Sequence, residues 1–265
     1  MLEAYALPVL IVTLAGFICA IILAIAAKYM SVPQAEGYEE IRAALPGANC
    51  GACGYAGCDA YGKALAEDKT TPTNLCPVGG AAVAEEISAL MGVEAGVVVE
   101  RAAFVGCSGT TECTKYIMEY SGTPTCEACN LFYQGRGTCS HACLGYGDCV
   151  SVCQFDAIRI IDGVAVVDRF RCTACGMCIK KCPNMLIAME PKKAQVFVAC
   201  SSHEKGAHTR KNCTAGCIGC KKCEKVCEAG AITVTDNLAK IDQSKCTSCG
   251  KCIEACPVHV IKRFY

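Results

Sequence analysis

Two cysteine runs near the C-terminus constrain this chain more than any other feature: Cys217-x2-Cys220-x2-Cys223-x3-Cys227 and Cys246-x2-Cys249-x2-Cys252-x3-Cys256-Pro257. Three closely spaced thiolates followed by a fourth is the ligand pattern for paired [4Fe-4S] cubes, in which the fourth cysteine of each run crosses to the other cube. The expected sets are Cys217, Cys220, Cys223 and Cys256 for one cube, and Cys246, Cys249, Cys252 and Cys227 for its neighbour. Zinc is the main rival, but structural zinc sites use CxxC pairs separated by a longer loop.

A gap-free offset of 74 residues maps an earlier stretch onto this one. It takes Cys126 to Cys200, Cys139 to Cys213, Cys143 to Cys217, Cys149 to Cys223 and Cys153 to Cys227, and Cys172, Cys175, Cys178 and Cys182 to the second run. Residues 126 to 191 therefore read as a repeat of 200 to 265, the same fold twice. Residues 158 to 168 and 232 to 242 are predicted hairpins, turning at Asp162-Gly163 and Asp236-Asn237.

One position breaks the match, because Tyr146 stands where the second repeat has Cys220. Cys139, the nearest spare thiol, is the expected replacement. The first repeat would then hold one cube by Cys139, Cys143, Cys149 and Cys182, and another by Cys153, Cys172, Cys175 and Cys178. The alternative is a three-cysteine site with a [3Fe-4S] cluster or a non-cysteine ligand. Cys107, Cys113, Cys126, Cys129, Cys200 and Cys213 are left over, and Cys107, Cys126, Cys200 and Cys213 are candidates for a further cube across the repeat interface. Against it stands the ordinary role of a buried free cysteine as a small apolar residue.

Upstream, Cys50-x2-Cys53-x4-Cys58-x17-Cys76 supplies thiolates for one isolated cube, with glycines that allow backbone to approach sulfur. Apolar periodicity predicts helices over about 59 to 69 and 80 to 91. From Ala4 to Ala27 no residue is charged. That length of helix spans about 36 Å, enough to cross a bilayer. Glu3 before the run and Lys28 after it do not fit a cleavable signal, and Lys28 suggests a body on the cytoplasmic side. Cys19 lies in the span, in an apolar role.

The chain has 27 cysteines, no Trp and 6% aromatic residues, so clusters are expected to supply cross-links that a large core would otherwise give. A disulfide framework would need an oxidising compartment, and no export signal supports one. Formal charge is zero with neutral cysteines, and each oxidised cube with its thiolates adds about −2. Lysines and arginines beside the motifs, such as Arg169, Arg171, Lys180, Lys181, Lys221, Lys222, Lys225, Lys245 and Lys251, read as partial compensation. They are interleaved with ligands and not with aromatics, which speaks against nucleic acid. His141, His203, His208 and His259 show no paired metal spacing.

The order of these parts, membrane helix, single-cluster motif and paired motifs, resembles the B subunit of the Rnf complex, a membrane-bound ferredoxin:NAD oxidoreductase that pumps sodium ions or protons. Each repeat resembles a ferredoxin. The fold class expected is α+β: a transmembrane helix (1–29), a small, mainly helical single [4Fe-4S] domain (30–100), and two tandem two-cluster ferredoxin-like repeats (101–191 with a preceding linker segment, and 192–265). The motifs supply ligands for five [4Fe-4S] clusters, or six with the spare cysteines, and the resemblance implies soluble ferredoxin as electron donor and membrane and cytoplasmic partner subunits that hold flavin and NAD. It makes the chain an electron-relay subunit of a redox-driven ion translocase, single-pass in the cell membrane. No GxGxxG or GxxxxGK[ST] nucleotide fingerprint and no catalytic triad or carboxylate pair is found, so no residue is assigned to hydride transfer. The basic loop from Lys192 to Lys211 is a candidate dock for an acidic ferredoxin. A polyferredoxin subunit of another membrane redox enzyme is the alternative, and a zinc-bound scaffold is a third reading.

Overall fold

A computed structural model describes residues 2–29 and 35–264. The N-terminal helix α1 (Leu2–Tyr29) carries a run of exposed apolar side chains from Val9 to Ile25. Nothing in the described chain covers them, which is the pattern of a helix whose solvent is lipid. The linker through Pro33 lies outside the described residues.

The single-motif domain packs α2 (Tyr38–Ala44), α3 (Cys58–Glu67) and α4 (Gly80–Met91) around Tyr61, Leu65 and Ile87, with Cys53, Cys58 and Cys76 against the same core. The helices observed match those predicted to within two residues. Asn49 Oδ1 accepts the Cys58 N–H at 2.8 Å and so starts α3 at a cysteine. Gly92 ends α4 in the left-handed region, φ 67°, with its N–H returned to the last turn.

The rest of the chain follows as β1 (Arg101–Val105), α5 (Cys126–Asn130), α6 (Asp148–Ser151), β2 (Ile158–Ile161), β3 (Val164–Val167), α7 (Met177–Lys181), β4 (Ile187–Pro191), β5 (Val196–Val198), α8 (Gly206–Asn212), α9 (Lys222–Lys225), β6 (Ile232–Thr235), β7 (Leu238–Ile241), α10 (Lys251–Glu254) and β8 (Ile261–Arg263). Four two-stranded antiparallel sheets result: β1 with β4, β2 with β3, β5 with β8, and β6 with β7. Both predicted hairpins are present. Asp162 and Gly163, and Asp236 and Asn237, all take positive φ, the conformation that fits a two-residue hairpin turn to the twist of its strands.

The strands correct the repeat boundary. β1 opens the first repeat and pairs with its last strand, β4; β5 opens the second and pairs with β8. Cys107 follows β1 by two residues and Cys200 follows β5 by two, so Cys107, not Cys126, is the counterpart of Cys200. The hydrogen bonds confirm the match. Gly109 N–H and Cys143 N–H donate to Cys107 Sγ, and Ser202 N–H and Cys217 N–H donate to Cys200 Sγ, all at 3.3–3.4 Å. Across the interface, Ser108 donates to the Ala199 carbonyl (3.1 Å) and Ser201 to the Gly106 carbonyl (2.8 Å), a reciprocal pair that relates the repeats by a pseudo-two-fold axis. The 74-residue offset holds only from Cys139 onward; between Cys107 and Cys139 the first repeat is 19 residues longer than the second is between Cys200 and Cys213.

Ile87 is fully buried at the centre of the single-motif domain. Ile87→Ala is expected to cost about 2–5 kcal/mol, read as a lower guanidinium midpoint for that domain.

Candidate metal centres

The described thiols collect into groups that draw on distant segments. Group I is the upstream loop, where Cys53, Cys58 and Cys76 share one core and Cys50 begins the loop that carries Cys53. Cys153, Cys172, Cys175 and Cys178 form group II. Group III lines a small apolar cavity with Cys126, Cys143, Cys149 and Cys182. Group IV does the same with Cys107, Cys139, Cys200 and Cys213 between the repeats. Group V is Cys217, Cys220, Cys223 and Cys256, and group VI is Cys227, Cys246, Cys249 and Cys252.

Groups III and IV differ from the sets expected. Cys139 was the expected substitute for the ligand lost at Tyr146, and Cys126 was placed with Cys107, Cys200 and Cys213; the structure exchanges the two. Cys126 reaches group III because Asp148, 6% exposed, accepts its N–H at 2.8 Å and that of Glu127 at 3.1 Å. Thr125 caps the same short helix through Ala128 N–H, and Lys181 pairs with Glu127 at 2.7 Å. Cys139 is turned the other way. The Thr138 hydroxyl donates to the Asn212 carbonyl at 2.9 Å, next to Cys213, and Thr114 donates to the same oxygen. The extra segment of the first repeat thus delivers Cys126, and the two departures Tyr146 and Asp148, which stand where the second repeat has Cys220 and Lys222, were the signal in the sequence. Cys129 is buried against Tyr146 and Cys113 lies beside Cys213, both outside the groups of four.

Backbone geometry brings main chain up to each group. Gly145, φ 75°, sits where a Cβ would fall 2.6 Å from the Gly163 carbonyl, so the ligand loop lies directly on the hairpin turn. Its counterpart Gly219 meets Asn237 the same way. N–H groups point at sulfur from Gly79 to Cys76, Ala103 to Cys172, Ala157 to Cys153 and Leu186 to Cys182 at 3.3–3.5 Å. Such donors favour negative charge on sulfur and suit thiolates bridged to iron.

Burial opposes that charge. It pushes Cys107 and Cys149 up to about 12, and Cys139, Cys178 and Cys223 up to about 11. A thiolate there requires a cation, and metal capture must release protons. At the exposed edge Cys249 is instead lowered, chiefly by the backbone of Lys251. Sets of four soft donors, several of them met by backbone N–H groups at sulfur, fit iron–sulfur cubes.

Fold and sites together define a protein of ferredoxin-type [4Fe-4S] domains behind an apolar helix. Residues 45–78 match a family described as a putative Fe-S cluster, and residues 171–232 and 216–260 each match a 4Fe-4S dicluster domain. The chain is 42% identical to the B subunit of the ion-translocating oxidoreductase complex of Methanosarcina acetivorans, over 93% of this chain and 94% of the relative. It is 43% identical to the B subunit of the Na(+)-translocating ferredoxin:NAD(+) oxidoreductase complex of Acetobacterium woodii, over 98% of this chain and 78% of that one. With the B subunit of the proton-translocating complex of Clostridium ljungdahlii it shares 39% identity, over 95% and 90%. The chain belongs to the family of B subunits of the Rnf-type ion-translocating oxidoreductase complexes.

Asp148→Ala removes the acceptor for both N–H groups that start α5. Leaving them unpartnered is expected to cost about 1–3 kcal/mol, with iron lost from group III before any other site, measured as iron per chain after mild chelation.

Proposed function

We propose that this chain is the iron–sulfur electron relay of a membrane-bound ferredoxin:NAD oxidoreductase that translocates ions, and that it carries six [4Fe-4S] cubes, one per thiol group. The observation that carries this reading is that the groups adjoin one another in a single series. Cys50 of group I and Cys175 of group II are close enough for their charges to interact, and Gly51 faces the Lys180 ammonium. Groups II and III share the Cys149–Cys153 segment, with Cys178 near Cys149. Cys143 of group III donates its N–H to Cys107 of group IV, and Cys217 of group V donates to Cys200 of the same group IV. The crossing cysteines Cys227 and Cys256 join V to VI. The order I, II, III, IV, V, VI follows, with group IV joining the repeats.

The four thiolates of each group would hold a cube, which would supply one-electron transfer with no bond made or broken. This chain's residues hold adjacent sites at fixed spacing, set their potentials through N–H bonds and burial, and keep water from the inner ones. Cys126 and Cys149 of group III are buried, whereas Cys220 and Cys249 are exposed, so groups V and VI offer the accessible edge to a soluble carrier. Reduced ferredoxin is the donor proposed, with partner subunits carrying flavin and nicotinamide. α1 docks on membrane partners, and its described residues from Val9 to Ala26 include no charge that would carry an ion. The thiol chemistry and Lys28 favour a body on the cytoplasmic side. A polyferredoxin role in a different membrane redox enzyme is not favoured by the similarity along the chain.

Iron and acid-labile sulfide per chain, on anaerobically purified full-length protein, test the reading. About twenty-four of each is expected; about twenty would remove group IV, and zinc in place of iron would overturn the relay. Cys126→Ala and Cys139→Ala should each cost one cube, and a different EPR component in each case. If Cys139→Ala leaves the spectrum of the protein unchanged, group IV is not a cluster site. Charge reversal at Lys205, Arg210 and Lys211 is expected to slow reduction by ferredoxin, with a weaker dependence on salt; an unchanged rate would place the dock elsewhere.

A further inference from the structure

Cys172 and Cys246 open the same motif in the two repeats and are held by the same turn. Cys172 N–H donates to the Asp168 carbonyl and Cys246 N–H to the Asp242 carbonyl, both at 3.1 Å. Asp168 and Asp242 donate in turn to Ala157 and Ala231, both at 2.7 Å. The next residue breaks the equivalence: Arg169 in the first repeat, Gln243 in the second. Gln243 is neutral and donates to the Val196 carbonyl at 3.0 Å.

Arg169 is only 6% exposed. Its Nη2 donates to the carbonyls of Pro191 (2.7 Å), Lys192 and Ala194 (both 3.3 Å), and its guanidinium lies 4.8 Å above the ring of Phe197. Phe197 stacks on Phe104 at 4.5 Å. Nη1 is buried with no hydrogen-bond partner. Arg169 lines one cavity with Ala103, whose N–H donates to Cys172 Sγ of group II at 3.3 Å, and among the described residues no carboxylate stands within ion-pair distance of the guanidinium. A buried cation solvated by carbonyl dipoles and a ring, and not neutralised by an adjacent carboxylate, keeps a field that water does not screen.

We propose that Arg169 is a positioning residue that sets a potential step in the relay: its charge stabilises the reduced cube of group II and so raises that cube's potential above that of its repeat counterpart, group VI. The inference rests on the reading that both groups hold cubes. Reduction adds one electron to a centre already negative, so a fixed cation nearby favours the reduced form more than the oxidised one. The carbonyl clamp on residues 191–194 supplies a purely structural alternative, which a potential distinguishes.

The test is an EPR-monitored redox titration of anaerobically purified full-length protein, with dithionite as reductant, on samples whose iron and sulfide are counted first. Arg169→Gln should move one midpoint to more negative potential and leave the others in place. Arg169→Lys, which keeps the charge and loses most of the clamp, should stay near the parent protein. Gln243→Arg should move a different midpoint to more positive potential, by less because residue 243 is only half-buried. An Arg169→Gln sample with its full iron in which no midpoint moves overturns the proposal, as does Arg169→Lys shifting as far as Arg169→Gln. If Arg169→Gln loses iron, Gln243→Arg decides, and unchanged midpoints there overturn it. A parent protein without iron would sink the relay reading itself, a separate outcome.

Discussion

Burying a thiol that must be ionised is the constraint on which this structure depends. Burial pushes the Cys107 and Cys149 thiols up to about 12, yet metal ligation needs the thiolate. Two things offset that cost: a cationic metal core, and backbone N–H groups aimed at sulfur. The fold supplies the second wherever it can, which is why so much of the chain is short helix, tight turn and glycine. Long elements would bury their own N–H groups in ladders. Helices such as α6, α9 and α10 are four residues long, and their leading loops turn through positive φ at Gly147, Lys221 and Gly250. The hydrophobic clusters of the two repeats are correspondingly interleaved with cysteine, so packing and ligation are one core.

The short-range grouping of thiols was legible in the sequence, and assembly across segments was not. Three cysteines in each of groups II, V and VI are separated by two residues, a spacing that reports its own geometry, whereas Cys126, Cys143, Cys149 and Cys182 of group III stand far apart in the sequence. Both hairpins were readable because Asp-Gly and Asp-Asn accept positive φ at the two turn positions. Group IV is different, since Cys107, Cys139, Cys200 and Cys213 lie in four separate segments brought together only by the contact between repeats. A gap-free comparison also hid the insertion. With Cys126 aligned to Cys200, the segment that holds β1 read as a linker.

The insertion explains why a ligand could be exchanged without loss of a site. In the second repeat the segment between Cys200 and Cys213 is short, and Cys220 completes group V from within the Cys217–Cys227 run. In the first, the additional residues reach back over group III, and Asp148 anchors them through two N–H groups that a lysine at the same place, Lys222 in the second repeat, has no acceptor to hold. Tyr146 is then free of ligand duty. Its ring packs with Tyr120 and under the Arg136 guanidinium, closing over group III a side that is exposed at Cys220.

Duplication alone would give two copies of one environment, and a relay of equal sites has no preferred resting place for its electrons. Of the many substitutions that separate the repeats, three stand beside the thiol groups: Tyr146 against Cys220, Asp148 against Lys222, Arg169 against Gln243. Their effects run in one sense. The first repeat is sealed by aromatic rings and charged inside by one buried arginine, while the second leaves Cys220 and Cys249 at the surface beside Lys221, Lys222 and Lys251. Water and salt screen surface lysines, so charge there steers a partner more than it shifts a centre. A buried charge does the reverse. The first repeat thus carries desolvated electrostatics on the side that adjoins the single-motif domain, and the second carries solvent-facing charge beside its exposed thiols.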